Sequence, residues 1–182
     1  MKKTNKGFSM VELIIVIAIM AILAGALAPA LIKYINKSRI STDIQTANTI
    51  ATAIQTALSN ENGYDDASSY EATAPSTFAN IWNGTTGSSF VDAVKQTVGG
   101  SKCPTGKSKK CVGKGDAAAT FDTDKNFKYV LERTNNKVEI YDNSGTHMLY
   151  PTASACLTDD TVTHAASKVG ASANNGGNQQ TP

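Results

Sequence analysis

Few residues in this chain have chemistry to offer, and their surroundings decide what that chemistry is. From Phe8 to Ile32 there are 25 residues with one charged group, Glu12. From Leu13 to Ile32 there is none. Twenty helical residues span roughly 30 Å, the thickness of a bilayer's hydrocarbon core. A carboxylate inside such a helix costs about 2.5–3.5 kcal/mol near the centre and less toward the end. It is tolerated if it reaches the headgroups or finds a cation. Glu12 is therefore a candidate for an ion pair made in apolar surroundings.

The other reactive groups are three Cys and two His. Cys103 and Cys111 bracket Pro104 to Lys110, and Cys156 stands apart. Three disulfide pairings are open. Cys103–Cys111 is favoured, because only a short turn must close. A zinc site is not expected, since these Cys and His show no ligand spacing. His147 and His164 have no nucleophile placed by motif beside them, so no catalytic set emerges and an enzyme is not expected. Asp122-Thr123-Asp124-Lys125-Asn126 imitates the start of a calcium loop. It fails at Phe127, where the sharp-turn Gly belongs, and at Arg133, where the bidentate Glu belongs. No metal and no cofactor are expected. Asn83-Gly84-Thr85 is a formal glycosylation sequon that reads more simply as a turn.

Ser101 to Gly115 holds Lys102, Lys107, Lys109, Lys110 and Lys114 and no acid. The plain reading is a solvated loop. The functional one is an anion-contacting patch for DNA or acidic glycans. No aromatic interleaves the lysines, which weakens a single-strand DNA reading. The whole chain has 17 basic against 15 acidic side chains in 182 residues. That balance excludes a bulk polycation.

The elements that position these groups follow from periodicity. Lys2, Lys3 and Lys6 precede the apolar run with no acid among residues 1–6, which puts the N-terminus in the cytoplasm and the bulk outside. A cleaved secretory signal fits poorly, because the run is too long and continues into an amphipathic helix. Ile40, Ile44, Ala47, Ala51, Ile54 and Leu58 are spaced 4, 3, 4, 3, 4, one face of a helix. Asp43, Gln45, Thr46, Asn48 and Gln55 fall off that stripe. Asn60 to Gly63 supplies a stop, with Gly63 as C-terminal cap. A continuous helix over 8–59 would be about 78 Å long. Pro29 lacks an N–H and clashes with the carbonyl of Gly25, so a kink or local melt is expected there.

Residues 61–125 read as a connecting region, with a turn or two of helix over 75–82 and a capped helix over 89–98. Phe78, Trp82 and Phe90 pin it to the core. Strands are expected over 127–133, 137–141 and 146–150, in a meander turned by Thr134-Asn135-Asn136 and Asn143-Ser144-Gly145. Residues 165–182 lack any aromatic and read as a flexible tail. The fold class is α+β.

Gly7-Phe8-Ser9-Met10-Val11-Glu12, preceded by Lys2, Lys3 and Lys6 and followed by the apolar run, resembles the signal of type IV pilins and pseudopilins. The close resemblance covers residues 1 to about 60. It implies a pilin fold, with the amphipathic half of a long helix packed on an antiparallel sheet of about 3–4 strands. Residues 1–7 would be a removed leader and 8–32 the membrane and filament-core helix. The head would span 33–164, with helix 33–60, connection 61–125 and meander 126–151. The resemblance also implies cleavage between Gly7 and Phe8 by a prepilin peptidase, and methylation of the new Phe8 amine. Glu12 would meet the N-terminal ammonium of a neighbouring subunit, and the helix would open between Gly25 and Pro29 in assembled filaments. Pilins often carry a disulfide loop near the C-terminus, so Cys156 with Cys103 or Cys111 rivals the short closure.

The function so implied is a structural subunit, a major pilin, waiting in the cytoplasmic membrane and stacked by an assembly ATPase into a surface filament. Its partners are itself, the peptidase, the assembly machinery and the membrane. Adhesion, surface motility and aggregation would follow. The alternatives are a pseudopilin of a type II secretion or competence system, and a minor pilin or tip adhesin.

Overall fold

The computed structural model describes residues 7–112, 121 and 124–160. One helix dominates it. α1 runs from Met10 to Leu58, 49 residues, or about 74 Å. Ser9 precedes it in extended backbone, and the Ser9 N–H donates to Glu12 Oε2 at 2.9 Å. That contact is one arm of a capping box. The helix is unbroken across Pro29. No melt interrupts this single chain between Gly25 and Pro29, and the opening that the resemblance implies belongs to the assembled filament.

The two halves of α1 live in different surroundings. Residues 10–34 are exposed throughout, and Ile40, Ala47, Ile50, Ala51, Ala53, Ile54 and Ala57 are buried. The expected stripe is present but broader, with Ile44 and Leu58 only partly covered. One residue assigned off the stripe is inside it. Asp43 is 1% exposed.

α1 ends at Leu58, and Asn60 starts α2 (Glu61–Asp66), accepting from the N–H groups of Asn62 and Gly63. Gly63 therefore belongs to the new helix and does not cap the old one. A Cβ there would sit 2.2 Å from the Ala57 carbonyl oxygen, so glycine is needed for close approach.

Residues 61–98, within the expected connection, carry regular structure. A 3-10 turn (Ala67–Tyr70) leads to β1 (Ala72–Thr77), then α3 (Ala79–Trp82) and α4 (Ser89–Val98). β1 takes part of the stretch expected to be helical. Pro75 lies inside it, beside a register shift between Ala72 and Ser76. An edge strand at a bulge tolerates the missing N–H. α4 is capped by Ser88, whose Oγ accepts from Val91, and it buries Phe90, Val91 and Val94 against α1. Phe78 and Trp82 pack together with ring centroids 6.3 Å apart.

The late strands are β2 (Lys128–Glu132), β3 (Lys137–Tyr141) and β4 (Met148–Tyr150). With β1 they make a four-stranded antiparallel sheet in the order β1-β2-β3-β4. Asn136 turns the β2–β3 hairpin at φ 47°, a conformation Asn tolerates, and Gly145 turns the next at φ 75°. The sheet lays Leu131, Val138, Ile140 and Leu149 into the core that α1 also enters. A last turn, α5 (Ala155–Thr158), returns to α1. The result is the α+β layout expected: a protruding apolar half-helix, and a second half packed on an antiparallel sheet.

Candidate functional site

At the N-terminal end, Phe8 is 86% exposed and Gly7 has no heavy atom within 4 Å of where a Cβ would lie. A Cβ on Gly25 would also meet nothing within 4 Å. Among the described residues, its lack of a side chain answers to no packing contact. α1 is long and apolar enough to cross a membrane.

The lysine loop is clamped to α1 from below. The buried Asp43 carboxylate accepts the N–H of Lys107 at 2.8 Å and of Ser108 at 2.7 Å. Burying a charge is costly unless donors point at it, and here two backbone donors do. Asn36 Nδ2 donates to the Lys110 carbonyl at 3.1 Å. Gly106 donates to Lys125 O at 2.8 Å, and a Cβ on Gly106 would strike the Phe121 ring. The lysines are consequently divided. Lys109 and Lys110 line a cavity of about 690 Å³ with Lys33, Lys37 and Arg39, at the point where the apolar half of α1 ends. Lys102 lines a separate groove with Thr42, Gln45 and Val98. Lys114 lies outside the described residues, as do His164, Asp122 of the calcium-like motif and the 165–182 tail.

The cysteines are arranged differently from the favoured closure. Cys111 Sγ faces Cys156 Sγ at 3.2 Å, not Cys103. Cys103 Sγ turns instead to the Pro104 carbonyl at 3.7 Å. The Asp43 clamp and the Thr105–Asn126 bridge hold the chain between Cys103 and Cys111 against other elements, so it does not double back on itself. Burial pushes the Cys103 thiol up to about 11. It pushes Cys111 up further, with the neighbouring Cys156 and the Asp142 charge adding to the rise.

His147, assigned no role by motif, completes the group. Its Nε2 lies 3.4 Å from Cys111 Sγ. Its Nδ1 meets Asp142 Oδ2 at 2.5 Å. Asp142 Oδ1 accepts from Ser144 Oγ at 2.7 Å and from the Thr146 and His147 N–H groups. His147 is 1% exposed, Asp142 0%, Cys111 5% and Cys156 7%. One donor atom from each of Cys111, His147 and Cys156 lies within 4.8 Å of the others. The lack of ligand spacing in the sequence had argued against any such set. The fold assembles it from a loop, a β-turn and a terminal helix, which no short motif can show.

A model described as "Prokaryotic N-terminal methylation motif" matches residues 2–28. Two curated relatives, each a "Type IV major fimbrial protein FimA" of Dichelobacter nodosus, are 41% identical to this chain over 58 residues. The matched segment is 32% of this chain and 37% and 36% of the two relatives, so it spans little more than a third of their length. No solved structure matches significantly. The similarity is to fimbrial structural proteins and not to enzymes.

Proposed function

We propose that this chain, a type IV pilin by its N-terminal motif and its α+β layout, is a major structural subunit of a helical surface filament. The observation that carries the reading is the exposed apolar half of α1, continuous with a half that is buried by its own sheet. Bare in water, the first half would expose some two dozen mostly apolar residues. Lipid covers them before assembly, and neighbouring copies of the same helix cover them afterwards.

Cleavage between Gly7 and Phe8 by a prepilin peptidase frees an ammonium at Phe8. In a bundle of helices, Glu12 of one subunit then accepts that ammonium from the next. A buried ion pair of this kind contributes to register more than to net stability. Within one chain Glu12 already accepts the Ser9 N–H, so its second oxygen remains for the incoming subunit. Gly25 permits close helix approach, and Pro29 leaves Gly25 O without an N–H donor four residues on. Lys109 and Lys110, beside Lys33, Lys37 and Arg39, sit at the boundary of apolar helix and head, a position suited to anionic groups at the membrane surface.

The test is the mass of the chain's N-terminus in sheared surface filaments. A methylated Phe8 as first residue, in the dominant protein of the preparation, is expected. An intact Met1 overturns the processing scheme. A correctly processed chain present only in trace amount overturns the major-subunit reading in favour of a minor pilin or pseudopilin.

A further inference from the structure

We propose that Cys111, Cys156 and His147 bind one thiophilic divalent metal ion, of the zinc class, in the head of the protein. The donors are two sulfurs and one imidazole nitrogen, a set that suits zinc and excludes calcium or magnesium, which need oxygen. Tetrahedral zinc, with Zn–S of about 2.3 Å and Zn–N of about 2.0–2.1 Å, sets S···S near about 3.7 Å and S···N near about 3.5 Å. The observed separations are 3.2 Å for Cys111–Cys156 and 3.4 Å for Cys111–His147. Seating the ion opens the Cys111–Cys156 pair by about half an ångström and draws the Cys156 and His147 donors, which lie within 4.8 Å of each other, to their separation around a shared centre.

Asp142 supplies the second feature of such a site. Its carboxylate holds His147 Nδ1, which leaves Nε2 as the coordinating nitrogen and fixes the ring plane. A carboxylate behind a metal-bound histidine orients the ring and raises its basicity. Asp142 is itself held by Ser144 Oγ and two backbone N–H groups, so the whole relay is rigid. Binding releases the two thiol protons to solvent, and the two thiolates that remain neutralise a divalent ion, so the buried site gains no net charge from these ligands. Among the described residues three protein donors converge, and zinc takes a fourth ligand to complete its tetrahedron. The ion would tie the lysine loop, the β3–β4 turn and α5 together, and metal affinity would become folding stability.

The competing state is a Cys111–Cys156 disulfide, which uses the same sulfurs and leaves His147 with no ligand to hold. The experiment takes the full chain in detergent, reduced with a phosphine under anaerobic conditions and stripped of metal, and titrates it with cobalt(II) and then zinc(II). Expected are one equivalent bound, a thiolate-to-cobalt charge-transfer band with tetrahedral d–d intensity, and bleaching by zinc. Cys103→Ser keeps the spectrum. Cys156→Ser and His147→Asn lose it, and Asp142→Asn weakens affinity about 10–100-fold.

The wild-type spectrum decides the matter without any variant, so misfolding of a variant cannot hide the answer. A wild-type chain that gives no charge-transfer band overturns the proposal. So does full binding in Cys156→Ser. Chain isolated from filaments with a Cys111–Cys156 disulfide and no zinc also overturns it, in favour of the covalent link. The cobalt and zinc titrations do not depend on filament formation, so the pilin reading stands or falls separately.

Discussion

The carboxylate of Asp43 accepts the backbone N–H of Ser108 at 2.7 Å, across 65 residues of sequence. Its other oxygen accepts the N–H of Lys107. A helix residue thereby sets the path of the loop that leads to Cys111. Asp43→Ala removes the acceptor from one buried and one part-buried backbone donor, and about 2–4 kcal/mol of head stability should be lost. Asp43→Asn keeps one acceptor and should lose less. Urea denaturation followed by tryptophan fluorescence checks both. Equal midpoints for wild type and Asp43→Ala would show the clamp to be inert.

Gly63 predicts a second stability effect. Any side chain there collides with the Ala57 carbonyl. Gly63→Ala should destabilise by about 1–3 kcal/mol through forced displacement of α2. Gly25→Ala, where a Cβ meets nothing within 4 Å, should leave the isolated chain's denaturation midpoint unchanged. Its effect, if any, appears in filament yield. A large loss of monomer stability in Gly25→Ala would contradict this division.

Glu12 has two tasks that substitution can separate. Glu12→Gln keeps an oxygen for the Ser9 N–H but carries no charge, and Glu12→Val removes both. Both should be processed after Gly7, and both should fail or weaken in filament incorporation. Recovery of normal filaments with Glu12→Gln would leave capping as the whole role. Normal filaments with Glu12→Val would remove the register role altogether.

Cys103 gives a pH prediction. Its thiol is pushed from about 9 to about 11 by burial, so at neutral pH it is the protonated form that the fold favours. Alkylation of Cys103 by iodoacetamide in the native chain should keep rising toward pH 11. The unfolded chain should level off near pH 9. By linkage, the stability that Cys103 contributes is intact below about pH 9 and is lost as pH rises toward about 11. A native-state plateau near pH 9 would refute the burial effect.

The sequence announces what is periodic and hides what is assembled. α1 was readable because Ile40, Ala47 and Ile54 recur at helical spacing, and the β2–β3 hairpin because β-branched and aromatic residues flank two Asn. β1 was not readable. Ala72–Thr77 contains Pro75 and small polar residues, and only its place at the sheet edge makes it a strand. Asp43 was misplaced because a charge in an apolar register looks like an off-face residue. Its burial depends on donors 64 and 65 positions away. The Cys111, His147 and Cys156 group was invisible for the same reason, since His147 lies 36 residues beyond Cys111.

The change of surroundings along α1 has a consequence for inheritance. Among the described residues, those of α1 before Ile32 are exposed throughout, whereas Ile40, Ala47, Ile50, Ala51, Ala53, Ile54 and Ala57 are buried in the head. One uninterrupted helix is therefore answerable to two separate judges. In the filament proposed above, errors upstream leave a well-folded head that its siblings refuse, whereas errors downstream leave an acceptable stem carrying a collapsed head. The first kind can be complemented or dominantly poisoned by a mixed population of subunits. The second is cleared chain by chain, before any population forms.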